Sequence, residues 1–453
     1  MKAPKIIEEA LKGEEPPSPP VSFVEAQRLS TAAASGPLKT LQTHPRWGDW
    51  RWQMKNRIRQ VAKLKDLFPG LKNMRQTARA ADRFPLAVTP YYASLIARAD
   101  ASDPIFQMCV PQPVELCDPA FLKEDPLEEN DDMPVPGLVH RYPDRALFIV
   151  TTTCAAYCRH CTRKRVAGMK EASISPIRLR QVVAYLSEHP EIRDVIVSGG
   201  DPFTMSTERI ESVLSALRSV PSVEIIRIGT RVPVVLPQRI TEELTRMLRH
   251  YHPLWVNTHF NHPAELTPEA AEACARLADA GIPLGNQSVL LRGVNDTPEV
   301  MAALCRGLVR IRVRPYYLFQ CDLVRGVEHF RTPVSRGIEI MEHLRGRLSG
   351  LAIPSFVVDA PHGGGKIPLL PNYMVSMSPT HTVLRNFEGL LVSYPEPRSA
   401  ATDQAPRAAK GVADSVWDLA SGQATNIVPD ALKRHARRST RTRGQRDGSR
   451  QDR

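Results

Sequence analysis

Three cysteines in one short stretch carry the most pointed chemistry of this 453-residue chain. In "CAAYCRHC", Cys154, Cys158 and Cys161 are spaced C-x3-C-x2-C and follow directly on a β-rich run. Thiolates this close in a loop can wrap one metal centre, and a closed [4Fe–4S] cluster takes four of them. Three leave one iron open to another ligand, much as a catalytic zinc keeps an open position. The alternative is a zinc site completed by His160 or by a distant residue. Cys109, Cys117, Cys274, Cys305 and Cys321 are isolated and read as packing residues.

The second stretch is "VVDAPHGGGKIPLLPNY", residues 357 to 373, where three glycines run into Lys366. A phosphate-binding P-loop needs a glycine five residues before its last Gly and Ser or Thr after the Lys. Here those positions hold Ala360 and Ile367, so the P-loop reading fails twice and the glycines serve something else.

Composition bounds the setting for this chemistry. Hydrophobic residues make up 42% and charged residues 24%, as in an ordinary globular enzyme. There is no apolar run of about 18 residues, so no membrane span is expected. The start, "MKAPKIIEEALKGEEPPSPP", has no apolar core of a secretory signal, so a cytoplasmic location is expected. Cysteines clustered in a long chain without such a signal favour a metal or redox site over disulfides. Net charge is +12, yet residues 430–453 alone hold nine Lys or Arg against three Asp. Half the excess thus sits in a solvated tail, and nucleic acid is not expected as a partner.

The elements that must position the cysteines and the lysine follow a regular pattern. Residues 1–44 read as a disordered extension. From 45 to 140 come a helical region and a Pro- and Asp-rich connector, with Trp52, Ile58, Val61, Leu64 and Leu67 at helical spacing. Helices are expected to continue through "TPYYASLIARA". β-rich runs then recur at 145–153, 193–201, 223–231, 253–260, 283–291 and 314–322, with helical stretches between. This alternation predicts βαβ units around a parallel sheet. The fold class is α/β, a partial (β/α)6-type barrel over 141–353, and Gly281 is a predicted helix C-cap. A segment over 354–397, opening with the run "PSFVVD", closes the site, and 398–453 reads as a disordered basic tail.

In βα barrels chemistry gathers at the C-terminal ends of the strands. Those ends read Cys154; Gly199, Gly200 and Asp201; Arg231; His259; Gln287; and Asp322. Six polar or glycine-rich ends in succession point to one site built from many loops. Asp359 and Lys366 face that site if "PSFVVD" joins the sheet.

C-x3-C-x2-C after the first strand of such a barrel is the signature of radical S-adenosylmethionine (SAM) enzymes. Longer strings then resemble one family, the lysine 2,3-aminomutases, which also use pyridoxal phosphate (PLP). They include "VPGLVHRYPDR", "YCRHCTRKR", "VIVSGGD", "NTHFNHPAE", "PLGNQSVLLRGVND", "RPYYLFQCDL" and "VVDAP-GGGK-P-PNY", and the resemblance spans roughly 45–397. The resemblance implies a radical-SAM barrel with N-terminal helices and a C-terminal segment that binds PLP and closes the site.

Residue by residue, the resemblance implies that Cys154, Cys158 and Cys161 hold the [4Fe–4S] cluster. Gly199, Gly200 and Asp201 would contact the methionine part of SAM, and Gln287 would lie near its adenosine. Lys366 would be the PLP lysine; its glycines let the backbone approach an aldehyde in a crowded site. Arg141 and Arg145 would suit the PLP phosphate, since Arg offers bidentate, permanently charged contacts. Arg163 would bind the substrate carboxylate, and Asp322 and Asp359 would grip the far amino group of lysine. Two carboxylates on one cation disfavour glutamate, because a neutral or acidic side chain leaves both unpaired. The implied reaction moves the α-amino group of L-lysine to C3. An external electron donor such as flavodoxin or ferredoxin and a homo-oligomer are also implied.

The chain departs from the family in places. Some members hold a structural zinc through cysteines after "SYPEP" and "RGVND"; here both stretches lack Cys, so no zinc is expected. His362 stands where the family usually has Gly, and Phe319 where Tyr is common. Arginine, or a related amino acid, therefore stays open as an alternative substrate. An iron–sulfur nucleic-acid-binding or redox-sensing protein would leave Lys366, Asp322 and Asp359 unexplained.

Overall fold

The computed structural model describes residues 42–377, 381–395 and 397. The two expected disordered segments lie outside these residues, apart from 42–44. Nine strands form one sheet in chain order: β1 (Leu138–Tyr142), β2 (Arg145–Thr151), β3 (Asp194–Gly199), β4 (Ile225–Gly229), β5 (Leu254–Thr258), β6 (Leu284–Leu290), β7 (Arg314–Gln320), β8 (Ser355–Ala360) and β9 (Gly365–Pro368). Strands β2 to β8 are parallel, and β1 and β9 flank them antiparallel. The expected partial barrel is therefore present, with β8 as a seventh parallel strand. The sheet runs from 138 to 368, across the expected boundaries at 140/141 and 353/354.

Period-two patterning sets the two faces of this sheet. Ala146, Phe148 and Val150 of β2, Val195 and Val197 of β3, and Ile226 and Ile228 of β4 are buried in the core. Their alternates Ser198, Gly229, Asn257 and Gln287 line the barrel's interior cavity. Helices Pro176–Glu188, Thr207–Arg218, Glu242–Leu248, Pro268–Asp279 and Pro298–Arg310 pack against the sheet. Each starts where Ser175, Ser206, Thr241, Thr267 or Thr297 accepts a bond from the backbone N–H three residues on. Gly281 follows Pro268–Asp279 at φ +77°, the left-handed stop expected there.

The N-terminal region is helical as expected, but the run from Trp52 to Leu67 is broken. The helices are short: Trp50–Lys55, Val61–Leu67, Met74–Arg83, Pro90–Ala93 and Pro104–Cys109. The break falls at Ile58, whose N–H and C=O both bond Val88 across a two-residue bridge (2.8 and 3.1 Å). Those backbone groups cannot also serve a helix. "TPYYASLIARA" supplies a single turn. A separate three-stranded antiparallel sheet, β10 (Met374–Met377), β11 (His381–Arg385) and β12 (Leu391–Pro395), follows the barrel. No helix among the described residues is long and apolar enough to cross a membrane.

Candidate active site

The cysteine turn begins where β2 ends, and the N-terminal region holds it. Tyr157 and Arg159 donate their backbone N–H groups to Ala87 O (2.8 Å) and Met108 O (2.9 Å). Arg57 donates to Cys154 O (2.5 Å) and pairs with Glu171 (2.7 Å). The Arg159 side chain is buried against Glu115 (2.6 Å), Pro85 O and Phe84 O. These bonds explain why a helical region precedes the barrel: it clamps the loop that carries the thiols.

Cys154, Cys158 and Cys161 are all free thiols and line one cavity with Gly199, Gly200, Asp201, Arg231, His259 and Gln287. Burial pushes the Cys154 thiol well up, helped by the neighbouring Cys161; burial and Cys158 push Cys161 to about 11. Bound to iron the thiols are deprotonated regardless. Among the described residues no three His, Cys, Asp or Glu are arranged as ligands of a single metal ion. His160 is instead stacked on His259 (Nε2 to Nε2 3.2 Å) and lies 3.3 Å from Asn261 Nδ2.

The two glycines at the end of β3 are there because the cysteine turn leaves no room. A Cβ on Gly199 would lie 2.3 Å from Thr151 O, and one on Gly200 2.3 Å from Thr153 O. Gly200 N–H donates to Thr151 O (2.6 Å) and Asp201 N–H to Thr153 O (2.8 Å). The Asp201 carboxylate accepts from Thr230 Oγ1 (2.6 Å), Arg231 N (2.7 Å) and Phe203 N (3.1 Å). Burial raises its pKa to about 6 against these donors. Asp201 thus ties β3 to β4, and the glycine backbone is what it leaves at the cavity wall.

The lysine lies on β9, directly opposite Asp359 of β8. Lys366 Nζ is 3.1 Å from Asp359 Oδ1 and 5.3 Å from the centre of the Phe319 ring. Asp322, just past β7, is half-buried and accepts a hydrogen bond from Thr162 Oγ1. Burial raises its pKa to about 7; Asp359 pushes the same way, and Lys366 opposes. The expected pair of carboxylates and the lysine therefore share one electrostatic neighbourhood.

The arginines divide. Arg145 stacks its guanidinium on the Tyr142 ring (3.9 Å), and the Tyr142 hydroxyl accepts the Lys366 backbone N–H (3.0 Å). Arg145 thus adjoins the lysine turn. Arg141 instead donates to Asp132 (2.9 Å) and Leu127 O. Arg163 lines the cavity but is held from behind by Glu129, through Nε (3.1 Å) and Nη2 (2.7 Å). Arg165 joins the same carboxylate (3.1 Å). Although burial opposes it, the Arg163 charge holds Glu129 down at about 2.

Sequence reasoning took 110–140 for a connector and so missed Glu115, Glu129 and Asp132, all buried. The signal was present: an acidic run, "LEENDD", set against the basic "RKR" after the cysteines. His362 sits at φ +57°, a conformation natural to Gly, with its Nδ1 2.8 Å from Glu128.

Comparison with known proteins agrees with this geometry. Residues 148–305 match a model described as the radical SAM superfamily, and 341–453 one described as lysine-2,3-aminomutase. The L-lysine 2,3-aminomutase of Clostridium subterminale is 55% identical over 352 residues, 78% of this chain and 85% of its own. That of Acetoanaerobium sticklandii is 50% identical over 400 residues, 86% and 96% of the two chains. A glutamate 2,3-aminomutase from Clostridioides difficile reaches 45% over 351 residues, 77% and 83%. Likeness of this extent makes the chain a member of the lysine 2,3-aminomutase family of radical SAM enzymes.

Proposed function

We propose that this protein is an L-lysine 2,3-aminomutase, moving the α-amino group of L-lysine to C3 and so interconverting L-lysine and β-lysine. The observation that carries the reading is the carboxylate pair Asp322 and Asp359, with the Lys366 ammonium on Asp359. That ammonium stands in for the far amino group of a lysine substrate. A glutamate side chain would put a third carboxylate beside the pair and leave it without a cation.

Cys154, Cys158 and Cys161 would hold the [4Fe–4S] cluster, and Gly199, Gly200, Asp201 and Gln287 would line the SAM subsite. Lys366 would hold PLP, with Arg145 and Arg141 toward its phosphate. When bound, these groups supply the radical formation, hydrogen transfer and nitrogen migration. The chain supplies position and exclusion of water. Asp322 and Asp359 fix the far end of the substrate. Arg163, gripped on its Nε and Nη2 edge by Glu129, meets the substrate carboxylate from the Nη1 side. Lys366 leaves Asp359 as the substrate ammonium arrives, so one carboxylate serves two cations in turn. The reducing electron comes from an external carrier of the flavodoxin or ferredoxin class. Exposed Met374, Val375, Met377, Leu391 and Val392 on the β10–β12 sheet support a homo-oligomer.

The test is anaerobic reconstitution with iron, sulfide, PLP, SAM and dithionite, followed by lysine, arginine and glutamate offered separately. β-Lysine from lysine alone is the expected result. Turnover of arginine with none of lysine would overturn the substrate.

A further inference from the structure

Arg231 ends the loop after β4 and is almost wholly buried, at 7% exposure. Its role in the site described above is unassigned, yet its bonds are specific. Nη1 donates to Cys158 Sγ at 2.8 Å. Nη2 donates to Glu265 Oε1 (2.7 Å) and to the Tyr92 hydroxyl oxygen (2.8 Å). Its backbone N–H goes to Asp201. Tyr92 in turn donates to Glu265 (2.7 Å), whose other oxygen accepts Asn261 N (2.6 Å) and His262 N (3.0 Å). The guanidinium is therefore held through Nη2 by Glu265 and Tyr92, and Nη1 points at sulfur. Arg231 Nε is buried without a hydrogen-bond partner among the described residues. An unmade buried bond is costly, so the pose is set by the partners it does have.

We propose that Arg231 tunes the cluster, its charge-assisted N–H···S bond to Cys158 raising the cluster's reduction potential. This rests on the reading that Cys154, Cys158 and Cys161 hold a [4Fe–4S] cluster. One-electron reduction, by the external carrier, adds one negative charge to the cluster and makes or breaks no bond. A fixed cation 2.8 Å from one of its sulfurs favours the more negative state, and hydrogen bonds to sulfur act in the same direction. Burial keeps water from screening that effect. Glu265 works against it, since the same guanidinium also answers its charge. The pair thus sets how much of the Arg231 charge the cluster feels.

The experiment is an EPR-monitored redox titration of the reconstituted full-length holoenzyme. It compares wild type, Arg231→Lys, Glu265→Gln and the double variant Arg231→Met/Glu265→Gln, which removes the buried pair together. The double variant should have a lower midpoint, with electron uptake at least tenfold weaker, or about 59 mV for one electron. Arg231→Lys should fall between it and wild type. Glu265→Gln should shift the other way, because it removes a negative charge and leaves the arginine. Variants that load iron fully and keep the wild-type midpoint would overturn the proposal and leave Arg231 a structural residue. If the double variant does not load iron, an unmoved midpoint in Glu265→Gln and Arg231→Lys overturns it equally. Absence of a [4Fe–4S] signal in wild type would instead overturn the cluster reading itself.

Discussion

The site has two turns of different build. The cysteine turn is anchored by backbone bonds to Ala87 and Met108, by Arg57 on a carbonyl, and by the buried Arg159–Glu115 pair. The lysine turn rests on the Tyr142 hydroxyl and the Asp359 carboxylate, with Lys366 a third exposed. It also contains left-handed residues, His362 at φ +57° and Gly365 at φ +86°. In the function proposed above, the first turn would hold a metal centre still, and the second would let Lys366 change partners. Rigidity is spent where coordination geometry needs it, and the low-stability end of the fold is kept for motion.

The contrast can be broken from either side. Cys158→Ala should have the largest effect, with loss of cluster iron, of its visible absorbance and of all turnover. A variant that still holds four irons per chain would refute the ligand set. Lys366→Ala should also abolish turnover and the PLP Schiff-base absorbance, but leave the cluster spectrum intact and the thermal midpoint within a few degrees. Loss of the cluster spectrum as well would mean that the turns are not separable.

Smaller effects sharpen the comparison. Asp322→Asn removes one partner of the substrate ammonium, a loss of about 1.5–3 kcal/mol. That is roughly ten- to a hundredfold in kcat/KM for lysine. Because burial raises Asp322 to about 7, it takes up a proton as pH falls through that value and ceases to attract a cation. KM for lysine should therefore climb as pH drops below about 7, and this limb should be missing in the Asn variant. Glu129→Gln should raise KM only several-fold, by loosening Arg163. Its pKa is lowered to about 2, so the stability it adds is present above the ordinary carboxylate range and lost as pH falls toward 2. Acid unfolding of Glu129→Gln should accordingly be less steep. His362→Gly should matter least: it relieves about 1 kcal/mol of left-handed strain and gives up the bond to Glu128. A changed lysine-to-arginine preference in that variant would make His362 a specificity residue.

Much of this was legible before the fold was known, for identifiable reasons. Six of the seven parallel strands read clearly because a strand covered by helices is rich in Val, Ile and Leu on its buried face. The strand-end residues read clearly because the barrel brings strand ends together. Strand β1, "LVHRY", was hidden because it is an edge with charged residues. Strand β9, "GKIP", was hidden because Gly and Pro argue against a strand. Partners far apart in sequence were illegible too: nothing local tells Glu115 that it will face Arg159, or Arg231 that it will face Cys158. The carboxylates of 115–132 looked like solvated linker because their cations lie on other elements.

The bond from Lys366 N–H to the Tyr142 hydroxyl marks a seam in the barrel. Strands β1 and β9 are the two edges of the sheet, and this hydroxyl spans from one to the other. Gly365 is needed there, since a Cβ would come within 3.1 Å of that same oxygen. Elsewhere around the wall, separating neighbours means unzipping a ladder of backbone bonds. Here the described residues give the one hydroxyl bond, worth about 1 kcal/mol. In hydrogen–deuterium exchange, the Lys366 amide should be among the first of the barrel to exchange.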